Sequence, residues 1–326
     1  MKKTLIALAA LCAVAGAAQA QSTVTLYGVV DAGLAYEDNG SVSQTRMDSG
    51  NLNGSRWGLK GSEDLGGGLA AIFTVESGFS TDTGAQASAT SLFNRQSFVG
   101  LTGGFGTVKL GRQMNPVYAN SGTFDPFGDA LAGDTARLLN YQGSRTDNTL
   151  SYAYAASGFR GEVQYGVGEV AGNSSASRTV AGFVGYKNGP VDVVLTSQNT
   201  NNAADTDTTK VTLLGGNYDF GMVKAFLTVD KETGLGTVDL RHVVVGLTAP
   251  IGAAGKLMVS YIKRTDNATA DKDARQAAIG YTYDMSKRTA LYTSYSRLSN
   301  DTNSAVKVTT AGNTDSLFNV GVRHSF

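Results

Sequence analysis

The basic and acidic side chains of this sequence are separated in a way that suits electrostatic rather than catalytic chemistry. Arg56 and Lys60 lie four residues apart in an alternating segment, so both would point to the same side of a strand. Asp125, Asp129 and Asp134 fall in residues 114–146, the longest stretch without periodicity. Because a guanidinium group keeps its charge at any working pH, basic groups facing such a carboxylate-bearing loop would create a strong field between them.

Catalytic and metal-binding chemistry finds little support in the residue types. The chain has two histidines, His242 and His324, and its one cysteine, Cys12, lies among the first twenty residues. Neither histidine stands in a legible constellation with a serine or an acidic partner, so neither enzymatic activity nor a cofactor is predicted. For some loop aspartates a calcium site is an open alternative to solvated surface charge; these are Asp205, Asp207, Asp266, Asp271 and Asp273.

The first residues predict export from the cytoplasm. Two lysines precede an apolar run over residues 5–15, and Ala-Gln-Ala stands at residues 18–20. This order of positive charge, apolar run and small-residue site is typical of a cleaved signal peptide, which we predict over residues 1–20. A short anchor helix is the alternative, but the run is shorter than the roughly 20 residues that span a bilayer.

Residues 21–326 repeat one pattern, in which short alternating segments are joined by turns and loops. In residues 159–167, for example, the odd positions are mostly apolar or aromatic and the even positions mostly polar. This period of two is typical of strands. Seven short turns alternate with eight long loops, the first of them over residues 38–54, which predicts sixteen antiparallel strands in one domain. The pattern alone leaves the register of residues 209–218 and 238–249 open.

The composition favours a barrel in a membrane over a soluble β-protein, the other open possibility. The chain contains 41 Gly, 14 Tyr and 13 Phe among 326 residues, yet its mean hydropathy is only −0.11. A barrel with a wet interior explains this blend, because each lipid-facing apolar residue alternates with a lumen-facing polar one. The net charge of zero leaves no footprint for nucleic acid. We therefore predict an all-β, sixteen-stranded antiparallel transmembrane β-barrel over residues 21–326.

The last segment shows the alternation most clearly and ends in an aromatic residue. Its more apolar face carries Phe318, Val320, Val322, His324 and Phe326. Its other face carries Asn319, Gly321, Arg323 and Ser325. Twelve residues tilted by about 40° are long enough to cross a bilayer. This segment is therefore predicted to be a membrane-spanning strand.

Several segments resemble the general porins of Gram-negative outer membranes, most closely those of the beta-proteobacteria. The first reads Val-Thr-Leu-Tyr-Gly-Val-Val-Asp at residues 24–31, and the last reads Gly-Val-Arg-His-Ser-Phe at residues 321–326. The other matching segments are residues 55–68, 93–101, 104–113 and 286–292. The resemblance implies a homotrimer of sixteen-stranded barrels. Each barrel would be a passive water-filled channel narrowed by an inward-folded third loop.

The resemblance also assigns roles to individual residues. The third loop would be residues 114–146, since Phe-Asp-Pro-Phe-Gly-Asp at residues 124–129 is similar to the inward-folding loop of the family. Asp125, Asp129 and Asp134 would then hang over the pore. The facing wall would carry Arg56, Arg95 and Arg145, of which Arg95 and Arg145 are placed by the resemblance alone. Lys60 joins this constriction by its strand parity.

The expected function is passive diffusion of ions and small hydrophilic solutes across a bacterial outer membrane, with a weak to moderate preference for anions. The expected partners are two further copies of the chain, outer-membrane lipid and lipopolysaccharide, and the outer-membrane assembly machinery. For that machinery, the resemblance implies that Phe326 is the signal read at the last strand. The alternative function is an adhesin or receptor barrel whose external loops bind a host or phage surface.

Overall fold

The computed structural model describes residues 22–141 and 143–326, so the predicted signal peptide over residues 1–20 lies outside the described residues. Within them the chain forms seventeen strand segments, a helix α1 (Pro116–Thr123) and a short 3₁₀ helix (Thr135–Arg137). The first nine segments are β1 (Thr23–Asp38), β2 (Ser43–Ser49), β3 (Arg56–Gly66), β4 (Leu69–Gly78), β5 (Gln96–Gly103), β6 (Gly106–Met114), β7 (Arg145–Ala156), β8 (Phe159–Gly166) and β9 (Thr179–Asn188). The others are β10 (Val191–Asn201), β11 (Thr208–Asp219), β12 (Lys224–Gly234), β13 (Val238–Ile251), β14 (Gly255–Asp266), β15 (Ala274–Asp284), β16 (Thr289–Asn300) and β17 (Thr314–Ser325).

The sheet is antiparallel throughout and closes on itself. From β3 to β17 each segment pairs with the next, and β17 pairs with β1, where Val29 lies opposite Ser325. Both β2 and β3 pair with β1, so they are two halves of one barrel strand. Seventeen segments therefore make sixteen strands. The predicted sixteen-stranded antiparallel barrel is confirmed, and closure leaves no edge strand to be satisfied.

One predicted loop is wrong. Residues 38–54 were expected to be irregular, but they contain β2, and β1 continues to Asp38. Residues 43–45 of β2 are exposed, although they alternate across the strand. Arg46 in its middle bonds the carboxylates of Glu37 at 2.6 Å and Asp48 at 2.8 Å. Because both faces of this hairpin meet water, its sequence has no apolar alternation, and it reads as a loop.

A buried carboxylate fixes the break between β2 and β3. Asp31 on β1 is fully buried, and its Oδ2 accepts hydrogen bonds from the backbone N–H groups of Leu52 at 2.9 Å and Asn53 at 2.7 Å. Its Oδ1 accepts a hydrogen bond of 2.6 Å from the hydroxyl of Tyr292 across the barrel closure. A carboxylate without such donors would be costly to bury. The break places Arg56 at the first position of β3.

The outer surface is apolar, as a lipid-facing surface requires. Large apolar side chains on outward-facing strand positions are exposed by 42 to 63 %, among them Leu26, Leu34, Val99, Leu110, Val163, Leu195, Leu214, Ile279 and Val320. Short turns lie at one end of the barrel and the longer loops at the other, an arrangement in which the loops face outward from the cell. Among the described residues, no helix is long and apolar enough to cross a membrane.

One sector of the inner wall carries buried apolar side chains. Val211, Leu213, Val244, Ile262 and Leu298, on β11 to β16, point inward and are buried against residues that follow β6. In this sector both faces of a strand are therefore apolar. This explains why the sequence did not fix the register of residues 209–218 and 238–249. The segment that covers the sector is the third loop, which folds inward.

Candidate functional site

The third loop is built from a capped helix at its start. Asn115 follows β6 directly, and its Oδ1 accepts a hydrogen bond of 2.7 Å from the N–H of Val117, which caps α1. Its Nδ2 donates to the carbonyl oxygens of Tyr141 and Gly143, both at 3.1 Å. One buried side chain thus ties the beginning of the loop to its end.

The middle of the loop packs directly against three inward-facing glycines of the barrel wall. A methyl group at Gly215 on β11 would come within 2.8 Å of the Phe124 ring, and one at Gly280 on β15 within 2.7 Å of the Phe127 ring. Between them, a methyl group at Gly246 on β13 would lie 2.4 Å from the Pro126 ring. The loop backbone is also bonded to the wall, since the Thr228 hydroxyl donates to the Phe124 carbonyl at 3.1 Å. The loop is therefore held by shape as well as by hydrogen bonds.

The three aspartates predicted to hang over the pore serve the loop itself. Both carboxylate oxygens of Asp125 accept backbone N–H groups, from Phe127 at 3.1 Å and from Asp129 at 2.9 Å. Asp129 accepts hydroxyl hydrogen bonds from Thr135 and from Tyr141. Asp134 caps the 3₁₀ helix. All three carboxylates thus accept hydrogen bonds from within the loop.

The ionisation of these aspartates is also altered. Burial, together with the nearby Asp134 carboxylate, raises the pKa of Asp129 to about 7, although its hydroxyl partners oppose the rise. Burial raises the pKa of Asp125 well above its usual range. Near neutral pH these two groups therefore contribute less negative charge than the sequence suggests.

The predicted arginines do come together, around a carboxylate that the sequence did not reveal. Glu76 on β4 accepts from Arg95 Nε at 2.7 Å and lies 3.3 Å from Arg56 Nε. The hydroxyl of Tyr27 donates to the same carboxylate at 3.0 Å. The two guanidinium-bearing side chains are 23 and 22 % exposed, whereas that of Glu76 is 5 % exposed. The carboxylate is thus buried behind two arginines that reach water.

Arg145 completes the cluster without a carboxylate of its own. Its Nε donates to the carbonyl oxygen of Arg95 at 3.0 Å, and its guanidinium lies 5.5 Å from the centre of the Tyr118 ring on α1. Such a cation–π contact stabilises the charge without neutralising it. Among the described residues, Arg145 has no carboxylate within 4 Å. Three guanidinium groups and one carboxylate leave two net positive charges at this wall.

Lys60 points into the barrel but stands apart from this cluster. It lies four residues beyond Arg56 toward the short turns, with its ammonium 5.3 Å from the centre of the Tyr27 ring. Lys109 on β6 sits similarly, 5.5 Å from the centre of the Phe98 ring. On each strand the residues next to the lysine face the lipid, so the lysine itself faces the lumen. Together with the arginines they form a basic strip down the wall from β3 to β7.

The exposure of inward-facing side chains locates the water-filled space. On β8 to β16, many inward polar residues are almost fully buried; they include Gln164, Thr196, Gln198, His242, Gln276 and Ser296. On the wall from β3 to β7, Arg56, Arg95, Lys60 and Lys109 keep contact with solvent. Open lumen therefore runs along the basic strip.

The two histidines lie apart, and His242 has an acidic partner that the sequence did not indicate. His242 Nδ1 lies 2.6 Å from Asp230 Oδ1, both buried beneath the third loop on facing strand positions. His324 is exposed on the outer surface, with its Nδ1 2.9 Å from the hydroxyl of Thr289. Over residues 22–141 and 143–326, no group of three or more His, Cys, Asp or Glu side chains could hold a metal ion.

Phe326 closes the seam between the first and last strands. Its backbone exchanges two hydrogen bonds of 3.1 Å with Gly28 on β1. A methyl group at Gly28 would lie 2.3 Å from the tip of the Phe326 ring, so the ring rests directly on that backbone. The ring stays 45 % exposed on the outer surface.

Comparison with known proteins identifies the family of the chain. A sequence profile described as Gram-negative porin matches residues 7–303. The chain belongs to this family. Outer membrane porin protein 32 of Delftia acidovorans is 34 % identical over the full length of both chains. Major outer membrane protein P.IB of Neisseria meningitidis is 31 % identical, again over both full lengths.

Solved porin structures share the fold. An anion-selective porin from Comamonas acidovorans superposes with a TM-score of 0.85 at 30 % identity, covering 94 % of this chain and 100 % of that one. A trimer form of OmpT from Vibrio cholerae has a TM-score of 0.69 at 18 % identity, covering 94 and 99 %. That second likeness concerns the fold alone. The chain is an outer-membrane porin, so the predictions of family and location are confirmed.

Proposed function

We propose that this porin is a passive, water-filled channel that admits ions and small hydrophilic solutes and prefers anions, with no enzymatic role. The observation that carries the proposal is the cluster of Arg56, Arg95 and Arg145 around the single carboxylate of Glu76. It lies on the wall from β3 to β7, where Arg56, Arg95, Lys60 and Lys109 keep contact with solvent. Its two net positive charges would attract anions into a narrow, low-dielectric passage.

The basic strip would extend that preference along the channel. Lys60 and Lys109 stand on aromatic rings below the arginines, so an anion leaving the cluster would meet further cations. Glu162 partly offsets Lys109, at 3.9 Å. The aspartates of the third loop would act mainly by shaping that loop. We therefore expect Asp125→Asn to alter loop order more than ion selectivity.

The direct test is single-channel recording of the purified protein in a planar bilayer under a potassium chloride gradient. We expect stepwise conductance and a reversal potential whose sign reports chloride as the more permeant ion. High salt should shrink the preference, since screening shortens the reach of the wall charges. A barrel that inserts but does not conduct would favour the adhesin or receptor function instead.

We propose that three copies associate. Several large apolar side chains are exposed on neighbouring outer positions of β1 to β5, including Leu26, Trp57 and Val99. The trimer form of OmpT offers a precedent with the same fold. An unboiled sample in sodium dodecyl sulfate should migrate as a slow band that boiling abolishes. Light scattering that gives the mass of a single chain in mild detergent would contradict the trimer.

We propose that Phe326 is read by the outer-membrane assembly machinery, after removal of a signal peptide over residues 1–20. The ring rests on Gly28 and is exposed at the barrel seam, so a partner could contact it while the last strand is still open. Phe326→Asp should lower the amount of folded protein in the outer membrane, measured as the heat-modifiable band. Phe220→Asp, in an exposed turn, is the control. Equal levels for both variants would rule this role out.

A further inference from the structure

Six basic side chains form a row on the outer surface of one sector of the barrel. One stands on each strand from β11 to β16, and all six are exposed; they are Lys210, Lys231, Arg241, Lys263, Arg275 and Arg297. The side chains of Lys231, Lys263 and Arg275 are 58, 56 and 59 % exposed. Each alternates with a buried, inward-facing neighbour, so the row belongs to the outer face.

The strand register keeps the row level. Lys231 lies directly opposite Arg241, and Lys263 directly opposite Arg275. Between these pairs the row steps by two residues, as tilted strands require for a line of constant height. The six residues thus follow one another around the barrel at a common level.

The height of the row matches the edge of the hydrocarbon. Lys231 is seven residues from Lys224, where β12 begins, and Arg241 is ten residues from Ile251, where β13 ends. At about 3.3 Å per residue and a tilt of about 40°, the row stands about 18 to 25 Å above the short turns. The apolar band of such barrels is about 25 Å tall. The row therefore lies near the outer edge of the hydrocarbon, from where long basic side chains reach the headgroups of the outer leaflet.

The chemistry changes abruptly across the row. Two residues nearer the short turns, the outward positions are Thr212, Val229, Val243, Tyr261, Ala277 and Tyr295, of which five are apolar or aromatic. On the loop side lie Asp239, Asp273 and Asp301, at 3.6, 3.9 and 4.0 Å from Lys231, Lys263 and Arg275. Such long, exposed ion pairs are weak. Six cations face three loosely held carboxylates, so the row keeps a net positive charge.

Three of the cations surround a hollow. A cavity of about 750 Å³ on the outer surface is lined by Lys210, Lys231 and Arg241, with Asn267 from a loop beside them. Leu214 and Val229 form part of its lining and continue into the apolar surface of the barrel. Among the described residues, neither Lys210 nor Arg241 has a carboxylate within 4 Å. The hollow thus offers cations at headgroup height and an apolar surface on the side of the bilayer.

We propose that this hollow binds a phosphorylated lipid of the outer leaflet, with headgroup phosphates on Lys210, Lys231 and Arg241 and an acyl chain along Leu214 and Val229. Charge-assisted bonds from ammonium and guanidinium groups suit phosphate oxygens. The apolar lining distinguishes a lipid from a free anion, because only a lipid gains from covering it. The proposal rests on the location in the outer membrane and not on conduction, so the two can fail separately.

The test uses the full barrel folded in detergent and titrated with lipid in native mass spectrometry. The probes are diphosphoryl lipid A, its monophosphoryl form and inorganic pyrophosphate. The variant K210Q/K231Q/R241Q removes the three cations, and K187Q/K287Q/R288Q removes the same residue types at the end with the short turns. We expect the first variant to bind diphosphoryl lipid A at least about tenfold more weakly, and the control to stay within about twofold of the original chain.

The original chain should also bind the diphosphoryl form more tightly than the monophosphoryl form, and pyrophosphate should not compete at matched concentration. Unchanged lipid binding by the first variant would overturn the site. Equal binding of both lipids would mean that acyl chains alone are recognised, and effective competition by pyrophosphate would mean an anion site instead. Both results contradict the proposal. Single-channel conductance equal to that of the original chain establishes that each variant is folded.

Discussion

Replacing Arg145 with glutamine is expected to reduce the anion preference of the channel about fivefold at low salt. An ion about 6 Å from one wall charge gains roughly 1 kcal/mol at an effective dielectric of about 60, and that energy corresponds to about a fivefold change in relative permeability. Arg145 should have the largest single effect, because its charge is held by the Tyr118 ring and a carbonyl oxygen rather than by a carboxylate. The measurement is the reversal potential in a salt gradient.

The control for Arg145→Gln is Arg275→Gln, which removes the same charge from the outer surface. It should leave the reversal potential unchanged. Changing Arg56 and Arg95 together should also favour cations, but it strips Glu76 of both its arginines and leaves a buried carboxylate with Tyr27 alone. The single change is therefore cleaner. An unaltered reversal potential in a conducting Arg145→Gln channel would remove this residue from the permeation path.

Glu76→Gln should move the selectivity in the opposite direction. It raises the net charge of the cluster from two positive charges to three without touching an arginine, and glutamine keeps nearly the shape of glutamate. The reversal potential should shift further toward that of chloride. A shift toward cations would mean that Glu76 is needed chiefly to hold Arg56 and Arg95 in place.

Phe124→Ala is expected to loosen the third loop and enlarge the conductance. The ring is fully buried against Gly215 and the apolar inner wall, and truncating such a side chain typically costs about 3 to 5 kcal/mol. The barrel itself should survive, because its strands are paired independently of the loop. We expect a larger and noisier single-channel conductance, and faster uptake of larger sugars in liposome swelling.

The matched control for Phe124→Ala is Phe105→Ala, in an exposed turn at the opposite end. It should leave conductance and swelling unchanged. If Phe124→Ala gave channels with the conductance and noise of the original chain, the packing of the Phe124 ring against Gly215 would not be what holds the loop. Heat-modifiable migration of both variants would establish that neither result reflects an unfolded barrel.

The sequence predicted the barrel well because lipid imposes a strict alternation on every membrane-spanning strand. Strand number, turns and the outward faces followed from that period. The prediction of strands and register from sequence failed where a strand face does not meet lipid on one side and water on the other. The hairpin arm β2 was missed because both of its faces meet water, and two registers stayed open because the third loop covers their inner side with apolar contacts.

The candidate site was predicted less completely, because its partners are distant in sequence. Arg56 was found by strand parity, and Arg95 and Arg145 by family resemblance. Glu76, Tyr27 and Tyr118 were not predicted. The signal that could have revealed Glu76 was its own parity, an acidic residue facing inward on the strand next to Arg56. The hydrogen bonds of the loop aspartates to nearby backbone and hydroxyl groups were not predicted, because such bonds leave no trace in residue type.

The packing of the third loop against three inward-facing glycines also implies an order of events during assembly. The loop follows β6, but Gly215, Gly246 and Gly280 lie on β11, β13 and β15, which are distant from it in sequence. The surface against which the loop packs exists only once those strands have paired and the barrel has closed. Until then the pore is not narrowed by the third loop. A barrel released into the membrane too early would be a wide leak, so the step that closes the seam also safeguards the permeability barrier of the cell.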